Sequence, residues 1–323
     1  MTGRYSTVLQ KHACRLAADV SFVKASEHLR EMLGVRVAPE TVRVLVESHG
    51  RAMATFQPTD GATATRFQGA KGEVEVAIDA GKVHTREGGW RDRKIAVLSR
   101  REAGDPAPPI GWADEDRLPA ASVVVAFAMI ATARVFRRCG RYAVRPLGVS
   151  TFATVHAPGD GAGWIWKGVD RALTGCTQTR DIDHACEKLG GCAKRIFGDG
   201  TAAAGAGRER GRERLLGSGW AGVCPWVAEL LAVEDPEERE RRRKYTEKRI
   251  GYSNKHLGRL NDAERLASGR VIGSGAVEGQ AKTLGLRLKS RGARWCEPNV
   301  RPMASLVCVR NSVQWEAYWA QAA

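Results

Sequence analysis

The amino-acid sequence predicts an α/β protein: a small helical region at the N-terminus, then a larger unit in which strands and helices alternate. Two observations carry that prediction. Apolar residues recur at helical spacing in FVKASEHLREML (22–33), whereas EVEVAID (73–79) alternates residue by residue, the period of a strand. From residue 73 onward, strand-like and helical stretches follow one another, the order that builds a sheet with helices on its faces. The length, 323 residues with 43% hydrophobic content, suffices for one large core and an accessory unit.

Residues 1–56 read as helices, with GVRV (34–37) as a short break and Pro39 suited to a first helical turn. Arg36, Thr41 and Arg43 then lie near the start of the second helix. Two readings fit: a helix-turn-helix, which lays such residues against base edges in a DNA major groove, or an ordinary helical hairpin. Residues 57–72 are rich in Gly, Thr and Ala without a period and read as a linker at a domain boundary.

EVEVAID reads as a strand buried on one face, and residues 81–101 as a turn and a second strand. ASVVVAFAMIATARVFRRC (121–139) is apolar and ends in arginines, which suits a helix packed on a sheet. STFATVHA (150–157) is strand-like, WIWKGVDRAL (164–173) helical, CTQTRDID (176–183) a short strand and HACEKLGGCAKRIF (184–197) helical. TAAAGAGRERGRER (201–214) is low in complexity and expected to be mobile, while residues 220–268 read as helix with a solvated, charged face. A Gly-rich turn, a helix bearing Glu278, a basic loop and a closing helix complete the chain. Trp164, Trp166, Trp315 and Trp319 recur near helical spacing and are expected in the core.

Lysine and arginine total 51 against 36 acids, a net charge of +15 that favours a polyanionic partner. No apolar run reaches the roughly 18 residues of a membrane span, and the N-terminus lacks the zones of a signal peptide, so a cytoplasmic protein with no membrane contact is expected. The eight cysteines are scattered without a CxxC pair, which indicates neither a disulfide framework nor a zinc ribbon.

The chemistry-bearing residues are acids where strands end. Phosphodiester cleavage needs a strong nucleophile and cancellation of charge at phosphorus, which two Mg²⁺ or Mn²⁺ ions held by carboxylates supply. Asp79 closes EVEVAID, and Asp160 follows a strand between Gly159 and Gly161. Glu278 sits just after Gly273, Ser274 and Gly275, with Lys282 four residues on and Arg287, Lys289, Arg291 and Arg294 beyond. As a plain surface feature, Glu278 and Lys282 would be a helix pair of modest value; the Gly-rich turn and the bases around it fit a phosphate-handling site better.

Five segments, GDGAGWIW (159–166), DIDHACEKL (181–189), VIGSGAVEGQAK (271–282), RLKSRGARW (287–295) and NSVQWEAYW (311–319), together with SEHLREMLGVRVAPETV (26–42), resemble bacterial insertion-sequence transposases of the ISKra type, relatives of the Mutator group. The resemblance implies a DDE transposase on an RNase H-like catalytic domain over residues 73–323, with a helical insertion at about 205–270 and a helix-turn-helix domain before it. It implies Asp79, Asp160 and Glu278 as the catalytic and metal-binding acids, Asp79 bridging two ions and the others completing one each. Asp181 and Asp183 also end a strand beside His184; Asp183 stays open as an alternative to Asp160, and Asp183 with His184 could orient an acid or water near the metals. Lys94, Lys282, Arg287, Lys289, Arg291, Arg294 and Trp295 are candidates for DNA contacts, alongside Arg36, Thr41 and Arg43. Pairing two element ends calls for a homo-oligomer on DNA. A noncatalytic DNA-binding protein or another RNase H-like nuclease are the alternative readings.

Overall fold

The computed structural model describes residues 5–254, 257–290 and 292–322. Four helices come first: α1 (Thr7–Asp19), α2 (Phe22–Leu33), α3 (Pro39–Phe56) and α4 (Gly61–Gly69). Strands β1 (Glu73–Thr85), β2 (Gly89–Arg101) and β3 (Val123–Ile130) lead into α5 (Ala133–Val144), β4 (Val155–Gly159), α6 (Gly163–Ala172), β5 (Thr177–Arg180) and α7 (Ile182–Phe197). Helices α8 (Ala202–Leu231), α9 (Pro236–Asn254) and α10 (Asp262–Ala267) follow, then α11 (Gly275–Leu288), α12 (Glu297–Arg310) and α13 (Gln314–Ala322). Among the described residues no helix is long and apolar enough to cross a membrane.

The strands form one mixed sheet in the order β3-β2-β1-β4-β5. The pairs β1–β2 and β2–β3 are antiparallel, while β4 runs parallel to β1 and β5 parallel to β4. Alternation along the strands sends Val74, Val76, Ala96, Leu98, Val125 and Phe127 to one face, where Phe67 of α4 and Phe136 of α5 close over them. Ala77, Ile95, Val97, Ala126 and Ala128 face the other way, into a cluster with α11, α12 and α13. Ala13, Leu29 and Val46 of the first three helices belong to that same cluster. At its tightest point α3 meets α12 through Gly50, where an added Cβ would lie 2.2 Å from the Pro302 carbonyl oxygen.

Four expectations are corrected by these elements. The strand at residues 73–79 has no wet face: Glu73 and Glu75 are both buried. Each is neutralised where it lies, Glu73 by Arg265 at 2.7 Å and Glu75 by Arg101 at 3.0 Å and the Ser99 hydroxyl at 2.7 Å. The apolar run at 121–139 divides into β3 and α5 rather than forming one helix. Its VVVAFAMI portion is rich in β-branched and aromatic residues, and the Thr132 side chain accepts from the Val135 N–H to start the helix after it.

The stretch 57–72, expected to be a linker, is largely ordered into a 3-10 turn and α4, whose N-cap Asp60 accepts from the Thr63 N–H at 3.1 Å. The low-complexity stretch 201–214 is the first half of α8. Its small residues are a packing face: Ala204, Gly207, Gly211 and Leu215 recur every three or four residues and are all buried. The Trp226 indole N–H donates to the Gly207 carbonyl at 3.0 Å, and a side chain on Gly211 would meet that same ring.

Candidate metal centre

Six polar side chains converge where β1, β4 and β5 meet the starts of α7 and α11. Asp79 pairs across the sheet with Ile95, so it shares a face with Ala77 and Gly81 and points toward the α11 side. Asp160 directly follows β4 and turns back on the chain, its Oδ1 accepting from the Ala162 N–H at 2.8 Å. Asp181 directly follows β5, and its own N–H donates to the Gly159 carbonyl at 2.8 Å, which ties together the ends of the two parallel strands.

Asp181 is also the N-cap of α7. Its Oδ1 accepts from the His184 N–H and from His184 Nδ1, each at 3.0 Å. Its Oδ2 accepts from the Ser274 N–H at 2.6 Å. The Ser274 hydroxyl lies 2.9 Å from Asp181 Oδ2 and 2.7 Å from Glu278 Oε1, and its one proton serves either carboxylate in turn. One buried aspartate therefore fixes both helix starts, and Glu278 stands in the first turn of α11 beside it.

The electrostatics follow from this crowding. Burial, and then the charges of Asp160 and Glu278, raise the Asp79 carboxyl above the ordinary aspartate range, against the Ala80 backbone N–H and His184, which lower it. Burial would raise Asp181 as well, but its bonds to His184 and Ser274 outweigh that and hold it at about 2. The hydrogen bond to Asp181 in turn raises His184 to about 9 against its partial burial, with the charges of Asp181 and Asp160 adding to the effect. At neutral pH the imidazole is then a cation that balances part of the acid charge.

Ligand atoms of Asp181, His184 and Glu278 all lie within 4.8 Å of one another. Carboxylate oxygens in excess over nearby cations, one of them with a raised pKa, are a donor set suited to a hard divalent cation such as Mg²⁺ or Mn²⁺. Arg93 supplies a second buried positive charge. It is 2% exposed, donates from Nη2 to the Ala281 carbonyl at 3.2 Å, and has no hydrogen-bond partner at Nε or Nη1. Gly81 makes room for it: a Cβ there would lie 2.7 Å from the guanidinium.

Asp160 and Glu278, far from Asp79 in the chain, both lie within range of its charge, while the ligand atoms that come within 4.8 Å of one another are those of Asp181, His184 and Glu278. Asp183 lies in the exposed first turn of α7, and it is Asp160 rather than Asp183 whose charge acts on Asp79. His184 belongs to the cluster.

Of the expected DNA contacts, Arg43, Arg287, Arg294 and Trp295 line one cavity, and Lys94 lies apart from them. Lys94 projects from the opposite face to Asp79; it is buried, 4.2 Å from the Trp164 ring centroid and 3.7 Å from Asp92, so it presents no open phosphate site. The Trp295 ring is buried and its indole N–H donates to the Leu288 carbonyl at 3.0 Å, which leaves no open face for a base. Arg287 is buried between Phe22 and Trp295. Lys282, Lys289 and Arg294 are exposed, as is Arg36; Thr41 is half-buried, and Arg43 is held by Glu40 and Glu47. Arg291 lies outside the described residues.

Sequence reasoning named Asp181 only as an acid that, with Asp183, ends a strand beside His184, and it gave Ser274 and Arg93 no site role. Asp181 had a readable signal, an aspartate at a strand end three residues before His184, which is also the signature of a helix cap. Arg93 had none, because its role comes from pairing with Gly81 across the sheet. Neither a family model nor a curated protein matches the chain.

Proposed function

We propose that this protein is a transposase: a metal-dependent enzyme that cuts DNA strands and joins them to new sites, built on an RNase H-like catalytic fold. The observation that carries the reading is the convergence of Asp79, Asp160 and Glu278 on one electrostatic cluster at the strand ends, from three distant points of the chain. The sheet, three antiparallel strands followed by two parallel ones, is the frame such a fold requires, and the helices α8 to α10 stand where the insertion is expected. The +15 charge suits a nucleic-acid partner.

In this mechanism Asp79, Asp160 and Glu278 would hold divalent ions, whose charge would activate an attacking water or 3′-hydroxyl and stabilise the leaving oxygen. Asp181 positions two of the participating elements, since it grips Ser274 at the start of α11 and His184 in α7. With its Nδ1 proton held by Asp181, His184 retains Nε2 for proton exchange with a bound water or hydroxyl. Two DNA ends processed together call for at least two copies of the chain.

The decisive assay offers a DNA end with a free 3′-hydroxyl, a target duplex and Mn²⁺ or Mg²⁺. Joined product from the wild type, and none from Asp79→Ala, Asp160→Ala or Glu278→Ala with DNA binding retained, is the expected result. Cutting without joining would make the protein a hydrolase, and joining by any one variant would remove that acid from the site.

A further inference from the structure

A second polar site lies at the far end of β1 and α11 from the acids. A cavity of about 500 Å³ there is lined by Arg43, Arg86, Arg287 and Arg294 with Ser290 and Asn299. The one acid among its lining residues is Glu47, and that carboxylate is 2.7 Å from Arg43. The remaining arginines leave the cavity cationic.

Arg287 shows what the cavity lacks. Its side chain is 4% exposed and stacked 4.8 Å from the Phe22 ring centroid and 4.9 Å from that of Trp295. Nε donates to the Ala17 carbonyl at 2.6 Å, but Nη2 has no hydrogen-bond partner. That donor is closed off from the cavity, so what the guanidinium lacks there is a counter-anion, which a phosphate would supply by its charge. Burial lowers its pKa to about 10, so it remains a cation at neutral pH. Arg86 and Arg294 are exposed and offer two further forks from the cavity wall.

The cavity is joined to the acids by two rigid elements running side by side. Asp79 and Glu278 interact at one end. Arg93, paired across the sheet with Gly81, reaches the Ala281 carbonyl midway. At the other end the Arg86 N–H donates to the Trp295 carbonyl at 2.9 Å. From Asp79 to Thr85 the strand advances about 20 Å, and from Glu278 to Arg287 the helix advances about 14 Å. Phosphates of one B-form strand separate by the rise of about 3.4 Å per nucleotide and by the turn around the axis as well, so that distance is roughly two to four nucleotides.

We infer that this arginine cavity holds a backbone phosphate of the DNA strand that is cut, about two to four nucleotides from the phosphate at the acids. The inference rests on the strand-cutting reading and adds to it a measuring device: the distance between cavity and acids sets where along the strand the cut falls.

The test measures binding of a fluorescent duplex oligonucleotide to the full chain by anisotropy across a salt series, for the wild type and for the double variant Arg86→Gln, Arg294→Gln, both exposed positions. Expected are at least a tenfold loss of affinity, a salt slope shallower by about one, and an unchanged melting temperature. Affinity of the double variant within twofold of a DNA-binding wild type would overturn the inference and leave the strand-cutting reading standing. A wild type that binds no DNA would overturn both. Millimolar inorganic phosphate that stabilises the wild type, with DNA affinity of the variant unchanged, would make the cavity a site for a free anion and overturn it too.

Discussion

The two faces of the central sheet are made by the same strands one residue out of phase, yet they differ in every chemical respect. Toward α11 and α12, Ala77, Ile95 and Val97 pack among helices, and the same phase carries Asp79 and the buried Arg93. Toward α5 and α6, Val76, Ile78, Ala96, Leu98 and Phe127 line an apolar cavity of about 370 Å³. Two buried cations on that side are spent on aromatic rings, Lys94 on Trp164 and Arg100 on Phe152. Both faces bury apolar area; only one brings acids to the strand ends. A register slip by one residue would exchange the two faces, so the pairing of β1 with β2 protects the site as much as the fold.

The sharpest test of this division is Asp79→Ala. It should reduce DNA joining by well over about 100-fold, the loss seen even for outer partners of metal ligands. It should leave the melting temperature unchanged or higher, since it removes a carboxyl that burial and two like charges already disfavour. Leu98→Ala on the opposite face should do the reverse. Its side chain is 1% exposed, so truncation should cost about 2–5 kcal/mol in urea unfolding while the folded fraction joins DNA normally. Loss of joining by the folded Leu98→Ala protein would break the comparison.

Gly50→Ala tests how closely the N-terminal helices are bound to the face that carries the acids. A Cβ 2.2 Å from the Pro302 carbonyl oxygen forces α3 off α12 and should cost about 1–3 kcal/mol, read by thermal or urea melts. An unchanged melting point would mean that α3 yields there freely.

The smallest expected effect belongs to Asp262, at the start of α10 behind Asp181. It is fully buried with no hydrogen-bond partner on either carboxyl oxygen, and burial raises its pKa to about 8. Between the unfolded value near 4 and that of the folded state, the native protein binds the extra proton, so stability falls as pH rises through this window. Asp262→Asn should therefore melt progressively above the wild type from pH 4 to pH 8, by about 1–2 kcal/mol at the upper end. Parallel melting curves over that range would show that Asp262 is not the buried acid responsible.

Much of the element order was readable because period reports burial directly. The strand at residues 73–79, the helix at 184–197 and the helical run after 220 all followed from it. Where the readings failed, the pattern was ambiguous in kind. A continuous apolar run such as VVVAFAMI looks the same in a buried strand and a buried helix. The alanines and glycines at 202–211 look like a flexible tract until Trp226 packs on them. The exposed face expected for β1 was filled by Arg265 and Arg101, which arrive from distant parts of the chain. The candidate acids Asp79, Asp160 and Glu278 were legible beside glycines at element ends, whereas the burial of Lys94 and Trp295 was not, because burial is not written in residue type.

By itself, then, the sequence determined the periods, the caps, the excess of positive charge and the candidate acids, all of which are local properties of a few neighbouring residues. Tertiary structure alone decided that Asp181 would bind the starts of two helices, that Arg93 would lie in the space left by Gly81, and that Arg287 would close between Phe22 and Trp295. Those outcomes depend on burial and on partners far along the chain, and both come into being only when the sheet and its helices pack together.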